Sequence, residues 1–292
     1  MNVYEIITER LLKEIDKGTL PWHKPWKSAL GEEPANLISK KPYHGINRFL
    51  LSQMSFARPY FLTYNQATAL GGQVKKGEHG IPVIFWKTGT YTATESDGST
   101  HDEKSFLLRY YTVFNIDQCS GIESKIPPIN PLPVDTGIDP LASAEKIVEH
   151  FNTRPTITHV RGDRAYYTPS SDRVTLPETN QFHSQAEYYS TLFHELTHST
   201  GHTSRLNRPT VAGASSFGSH NYSKEELVAE MGAAFLCGEA GIENEAALKN
   251  SASYLDGWRK KLKTDSKVVI QAAAQAQKAA DYILGVKKEQ TT

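Results

Sequence analysis

The segment Ser184 to His202, SQAEYYSTLFHELTHSTGH, constrains this chain most, because His194-Glu195-Leu196-Thr197-His198 stands at its centre. Residues four apart on an α-helix lie one above the other on a single face. His194 and His198 therefore offer two imidazole nitrogens to one ion, while Glu195, offset by one position, is free to face a water there. A zinc ion acidifies such a water, and a carboxylate takes its proton. An H-E-x-x-H string also arises by chance, so its framing matters. Ser184 followed by Glu187 predicts a capping box, and Gly201 predicts the helix stop. Tyr189, Leu192, Phe193 and Leu196 form one apolar stripe, with the histidines on roughly the opposite side. A helix buried on one face and carrying both histidines on the other meets the needs of a metallopeptidase site.

Catalytic zinc usually keeps three protein ligands. Residues 222–230, YSKEELVAE, open a second helix on which Glu226 and Glu230 share a face, and Ala229, Gly232 and Ala233 permit close helix packing. We assign Glu226 as the third ligand and Glu230 as the carboxylate that orients a histidine. Ser223 with Glu226 also reads as a capping box, in which case Glu230 becomes the ligand. His202, four residues past His198, is a further candidate, set beyond the expected stop at Gly201.

At 292 residues the chain has room for one large domain or two ordinary ones, and 32 basic residues balance 32 acidic ones. The total charge therefore names no partner, but its distribution does. Residues 1–90 hold 12 Lys and Arg against 7 Asp and Glu. Trp22, Trp26, Tyr43, Tyr60, Tyr64 and Trp86 are interleaved with those bases. Rings that stack on bases and cations that pair with phosphates together hold single-stranded nucleic acid, with little base preference. The motif Pro21-Trp22-His23-Lys24-Pro25-Trp26-Lys27 reads equally well as a hydrophobic clamp. Cys119 and Cys237 imply no disulfide framework. The charged amphipathic helix expected over residues 3–17, ending at Gly18, is no signal peptide, and no apolar run is long enough to span a bilayer. A cytoplasmic protein is the simplest reading.

Strands are expected at Ile81–Trp86 and Phe106–Phe114, with a hairpin tip between Thr88 and Lys104. The proline-rich stretch 121–140 reads as a stiff connector, which divides the chain into 1–128, a linker at 129–140, and 141–292. Further strands are expected at Thr156–Val160, Tyr166–Tyr167 and Arg173–Leu176, the last as an edge strand that binds extended peptide. Residues 203–221 read as a flap. Tyr254, Trp258 and Leu262, then Ala276, Ala280 and Leu284, mark two closing packing helices. The fold class is α+β, with a small DNA-binding domain before a zincin-like one.

The runs PWHKPW, PYHGIN and YNQATALGGQVKKGEHG resemble the N-terminal domain of ArdC-type antirestriction proteins, which is related to domains that open plasmid TraC-type primases. FHELTHSTGHTSRL, YSKEELVAEMGAAFLCGEAGI and SYLDGW resemble the metallopeptidase domain of the same family. The resemblance covers nearly the whole chain. It implies non-specific single-stranded DNA binding, with Trp22, Lys24, Trp26, Lys27, Tyr43, Asn47, Arg48, Tyr64, Gln73, Lys75 and Lys76 as the candidate contacts. It also implies a peptidase with His194, His198 and Glu226 on zinc or manganese, Glu195 as general base, and protection of incoming plasmid DNA during conjugation. The protein substrate would be restriction-modification subunits or other DNA-bound proteins. A DNA-coating protein with a structural or vestigial metal site is the competing expectation, and an exported effector peptidase a third.

Overall fold

Asn2 and Glu5 close a capping box around the first turn of α1 (Val3–Asp16), and Gly18 leaves that helix at φ +84°. The computed structural model describes residues 2–18, 20–23, 33–54, 56–94, 100–128, 139–212, 220–242 and 252–286. After α1 come β1 (Ala35–Asn36), α2 (Ile46–Ser52), β2 (Tyr60–Thr63), α3 (Tyr64–Ala69) and β3 (Gln73–Val74). Then follow β4 (Ile81–Thr94), β5 (Thr100–Asn115) and β6 (Cys119–Ser120). β1, β2, β5 and β4 form one sheet in that order, parallel only between β1 and β2, and β3 pairs with β6. The β4–β5 ladder runs from Ile81↔Val113 to Thr94↔Thr100, so the strands reach well beyond the expected Trp86 and Phe106. The tip shrinks to 95–99, which lies outside the described residues, as does 129–138 of the linker.

The second half continues with α4 (Pro140–His150), β7 (Thr156–Val160), β8 (Tyr166–Thr168) and β9 (Arg173–Pro177). α5 (Gln185–Ser199), α6 (Pro209–Ala212), α7 (His220–Ala240), α8 (Ala252–Thr264) and α9 (Val268–Ile283) complete it. The sheet order is β7-β9-β8, which overturns the expectation that Arg173–Leu176 is an edge. β9 is central: it pairs parallel with β7 and antiparallel with β8, and Val174 to Pro177 are buried. The edges belong to β7 and β8, and β8 lies against α5.

The two domains share one core. Phe49 of α2 stacks on Phe235 of α7 at 4.6 Å and 22°. Thr8 Oγ1 donates to Ser266 O, and the Gly45 N–H donates to Gln277 Oε1. α8 packs on α1 and α9 on α2, so the two closing helices fasten the second domain onto the first. Apolar side chains of α1, α2, α5, α7, α8 and α9 join in a single cluster.

Candidate metal centre and nucleic-acid surface

The stripe expected on α5 is buried at Leu192, Phe193 and Leu196, and His194 and His198 emerge on the other side, half-buried. Ser184 Oγ accepts from the Glu187 N–H, while the Glu187 carboxylate returns to the His183 N–H, one residue earlier than a full capping box. The helix closes at Ser199, and Gly201 owes its identity to packing. A Cβ there would meet Val211 Cγ2 at 2.5 Å.

α7 brings a third candidate donor. His198 Nε2 lies 3.1 Å from His194 Nε2, and Glu226 places Oε2 3.5 Å from His194 Nε2 and Oε1 3.6 Å from His198 Nε2. Three ligands at zinc distances and tetrahedral angles stand about 3.3 Å apart, so this donor set fits a divalent ion. The competing account of Glu226 fails: α7 starts at His220, so Ser223 sits inside the helix and caps nothing. His202 turns to Ser204 Oγ at 2.7 Å and does not join the three ligands. Glu195 is buried beside the pair. Burial would lower the His194 pKa, but the carboxylates of Glu226, Glu195 and Glu230 outweigh it and raise it to about 9.

The carboxylate that orients a histidine is Glu225, which sequence reasoning passed over. Its Oε1 lies 3.4 Å from His198 Nδ1. An Nδ1–H directed at a carboxylate leaves the Nε2 lone pair for the ion. Adjacent positions on α7 thus address opposite nitrogens of one imidazole. Glu225 is itself held by Arg208, whose Nε donates at 3.1 Å and Nη2 at 2.5 Å, and Thr210 Oγ1 donates to it as well. Burial pushes the Glu225 carboxyl up, but bonds to His198 and Arg208 win and hold it at about 2. Glu230, expected in this orienting role, instead accepts from Trp22 Nε1 at 2.9 Å.

The first part of the expected flap is anchored. Arg208 is buried, and Arg205 reaches Ser199 O and both Asp172 oxygens. Residues 213–219 lie outside the described residues. Burial raises the Asp172 carboxyl, but bonds from Arg205 and Tyr167 outweigh it and hold the pKa below its usual 3.8. Such a carboxylate stabilises the fold above its unfolded pKa and loses that contribution as pH falls. Asp172→Asn keeps a residue that tolerates the observed left-handed backbone (φ 44°). It is expected to be about 1 kcal/mol less stable at pH 7, the carboxylate being partly solvated. The deficit should vanish near pH 2 in denaturant titrations; a deficit constant with pH would show that charge is not its source.

The expected nucleic-acid contacts separate into two groups. Trp22 is 0 % exposed and stands edge-on to Trp258, so it has no face to offer a base. Tyr43 is buried against Phe61. The Asn47 amide is spent on the outer edge of β4, accepting from the Ile84 N–H and donating to Ile84 O, both at 2.8 Å. Arg48 is buried over the Phe235 ring and ion-paired with Glu33. These four are structural, which corrects the expectation for them. Lys24, Trp26 and Lys27 lie outside the described residues, and so does the side chain of Trp86. Tyr64 is 57 % exposed, Gln73 is exposed on β3, and Lys75 and Lys76 are exposed between β3 and β4. The structure adds Phe85, Arg109, Tyr110 and Tyr111, all exposed on the β4–β5 ladder. Phe85 meets Tyr111 at 5.6 Å. The sequence placed strands here without singling out these side chains.

Comparison with known proteins agrees with this layout. A family model described as the N-terminal domain of anti-restriction factor ArdC matches residues 1–114, and one described as a zincin-like metallopeptidase matches 142–275. Two DNA primases TraC of Escherichia coli are 38% and 35% identical over 98% of this chain, which spans only 20% and 27% of their length. An uncharacterized protein of Sinorhizobium fredii, y4eC, is 33% identical over 97% of this chain and 91% of its own. Crystal structures of the antirestriction ArdC protein from the R388 plasmid superpose with a TM-score of 0.70. The metal-free one is 35% identical over 97% of both chains, and the Mn(II)-bound one 34% identical over 98% of both. Among the described residues no helix is long and apolar enough to cross a membrane. With both of its domains and nearly all of its length accounted for, this chain belongs to the family of ArdC-type antirestriction proteins.

Proposed function

We propose that this protein is a metal-dependent peptidase that works on single-stranded DNA, in the cytoplasm, to protect plasmid DNA entering by conjugation. The convergence of His194, His198 and Glu226 beside Glu195 carries the peptidase half of this reading. A divalent ion there, zinc or manganese, would supply Lewis acidity toward a water and a scissile carbonyl. The Glu195 carboxylate then takes the water's proton and hands it to the departing amine. The outer edge of β8, beside α5, has no strand partner among the described residues and is the edge offered to an extended peptide. Restriction-modification subunits or other proteins met on the DNA are the substrate class. The exposed rings Tyr64, Phe85, Tyr110 and Tyr111, with Gln73, Lys75, Lys76 and Arg109 on the same domain, support the DNA half.

Glu195→Ala tests the reading. Loss of a general base lowers hydrolysis by about 10²–10⁴-fold. Protein cleavage and antirestriction should both fall away while binding to labelled single-stranded DNA stays at the wild-type level. Full protection by the variant would leave DNA coating as the function and remove the peptidase.

A further inference from the structure

Glu230 stands one turn beyond Glu226 on α7, so the two carboxylates follow each other along one face. It is buried, and a buried carboxylate must have its oxygens hydrogen-bonded to stay charged. A donor reaches it from the other domain: Trp22 Nε1, at 2.9 Å, across 208 positions of sequence. The indole is fully buried and set at 89° to Trp258, 6.0 Å between ring centres, so the direction of its N–H is fixed. The choice of donor matters. An indole N–H satisfies a carboxylate oxygen while adding no charge of its own, unlike an arginine or lysine.

We propose that Trp22 is a positioning residue for the metal centre. Its N–H, delivered from the first domain, holds the buried Glu230 carboxylate one turn from Glu226, where its charge strengthens the grip on a cation. The peptidase domain is then incomplete as a metal site without the DNA-binding domain. This rests on reading His194, His198 and Glu226 as a cation site.

The test is a titration of the full chain with Mn²⁺ and with Zn²⁺ against a competing chromophoric chelator. The proteins compared are wild type, Trp22→Phe, Glu230→Gln, the double variant and His194→Ala. Loss of such an outer partner weakens metal binding about 10–100-fold. Trp22→Phe keeps the ring and loses the N–H, and Glu230→Gln loses the charge; each is expected to fall about 10-fold or more. Because both act through one group, the double variant should be no weaker than Glu230→Gln alone. Wild-type affinity in a folded Trp22→Phe, or losses that simply add, would overturn the proposal. If Trp22→Phe does not fold, Glu230→Gln decides, and unchanged affinity there overturns it. Equal binding by wild type and His194→Ala would sink the parent reading instead, and is recognisable as such.

Discussion

Arg208→Met is expected to lower the unfolding free energy by about 3–5 kcal/mol, the usual effect of deleting one member of a buried ion pair. Arg208 and Glu225 are both nearly fully buried. The guanidinium also donates to Thr200 Oγ1 at 2.6 Å and Thr197 O at 2.8 Å, which ties off the C-terminal carbonyls of α5. Methionine fills much of the volume but leaves a carboxylate without this counter-charge, held by Thr210 and His198 among the described residues. Chemical denaturation monitored by circular dichroism would read the loss, together with a fall in Tm on the order of 10 °C. Lysine should recover part of it, since it restores charge without the planar fork. A methionine variant that unfolds at the wild-type denaturant concentration would show that Glu225 does not depend on this partner.

Gly232→Ala should damage both stability and the metal centre. A Cβ on Gly232 would lie 2.4 Å from Thr197 Cγ2 and 2.7 Å from its Oγ1, at the closest approach of α7 to α5. Replacing glycine by alanine inside a helix gains about 1 kcal/mol in propensity. Overpacking a dense core costs about 1–3 kcal/mol. Thr197 is buried and its hydroxyl bonds to Phe193 O at 2.7 Å, so it has little room to yield, and the clash prevails. Thr197 lies between the two histidines' turns, and Gly232 is six residues past Glu226. Separation of the helices therefore pulls the carboxylate from the imidazoles, and a shift near 1 Å costs about 100-fold at a catalytic site. Metal titration and thermal unfolding should show both losses. Adding Thr197→Ala should restore much of each; no rescue would place the damage elsewhere.

The candidate metal-binding cluster was legible in the sequence because the signal is local. His194 and His198 are set by one helix period, and Glu226 by a second helix whose small residues announced close packing. What escaped depends on long-range placement. Glu225 is indistinguishable from its neighbour until His198 shows one nitrogen to each and Arg208 arrives from the loop between α5 and α6. Trp22 and Tyr64 carry the same chemistry in sequence, yet one is sealed beneath α8 and the other faces solvent. Burial of a ring is decided by partners more than two hundred residues away. Strand order is likewise silent in local alternation, which is why Arg173–Leu176 read as an edge and proved central.

The stacking of Phe49 on Phe235 and the clasp of α8 and α9 around α1 and α2 bear on how such a protein spreads between genomes. Recombination that severed the two halves would expose a large greasy scar on each. The unit that can be shuffled into a longer protein is therefore the complete pair. In keeping with that, the TraC primases match along 98% of this chain rather than along one half. A single cassette of this kind keeps the candidate metal centre and the exposed ring surface in one body.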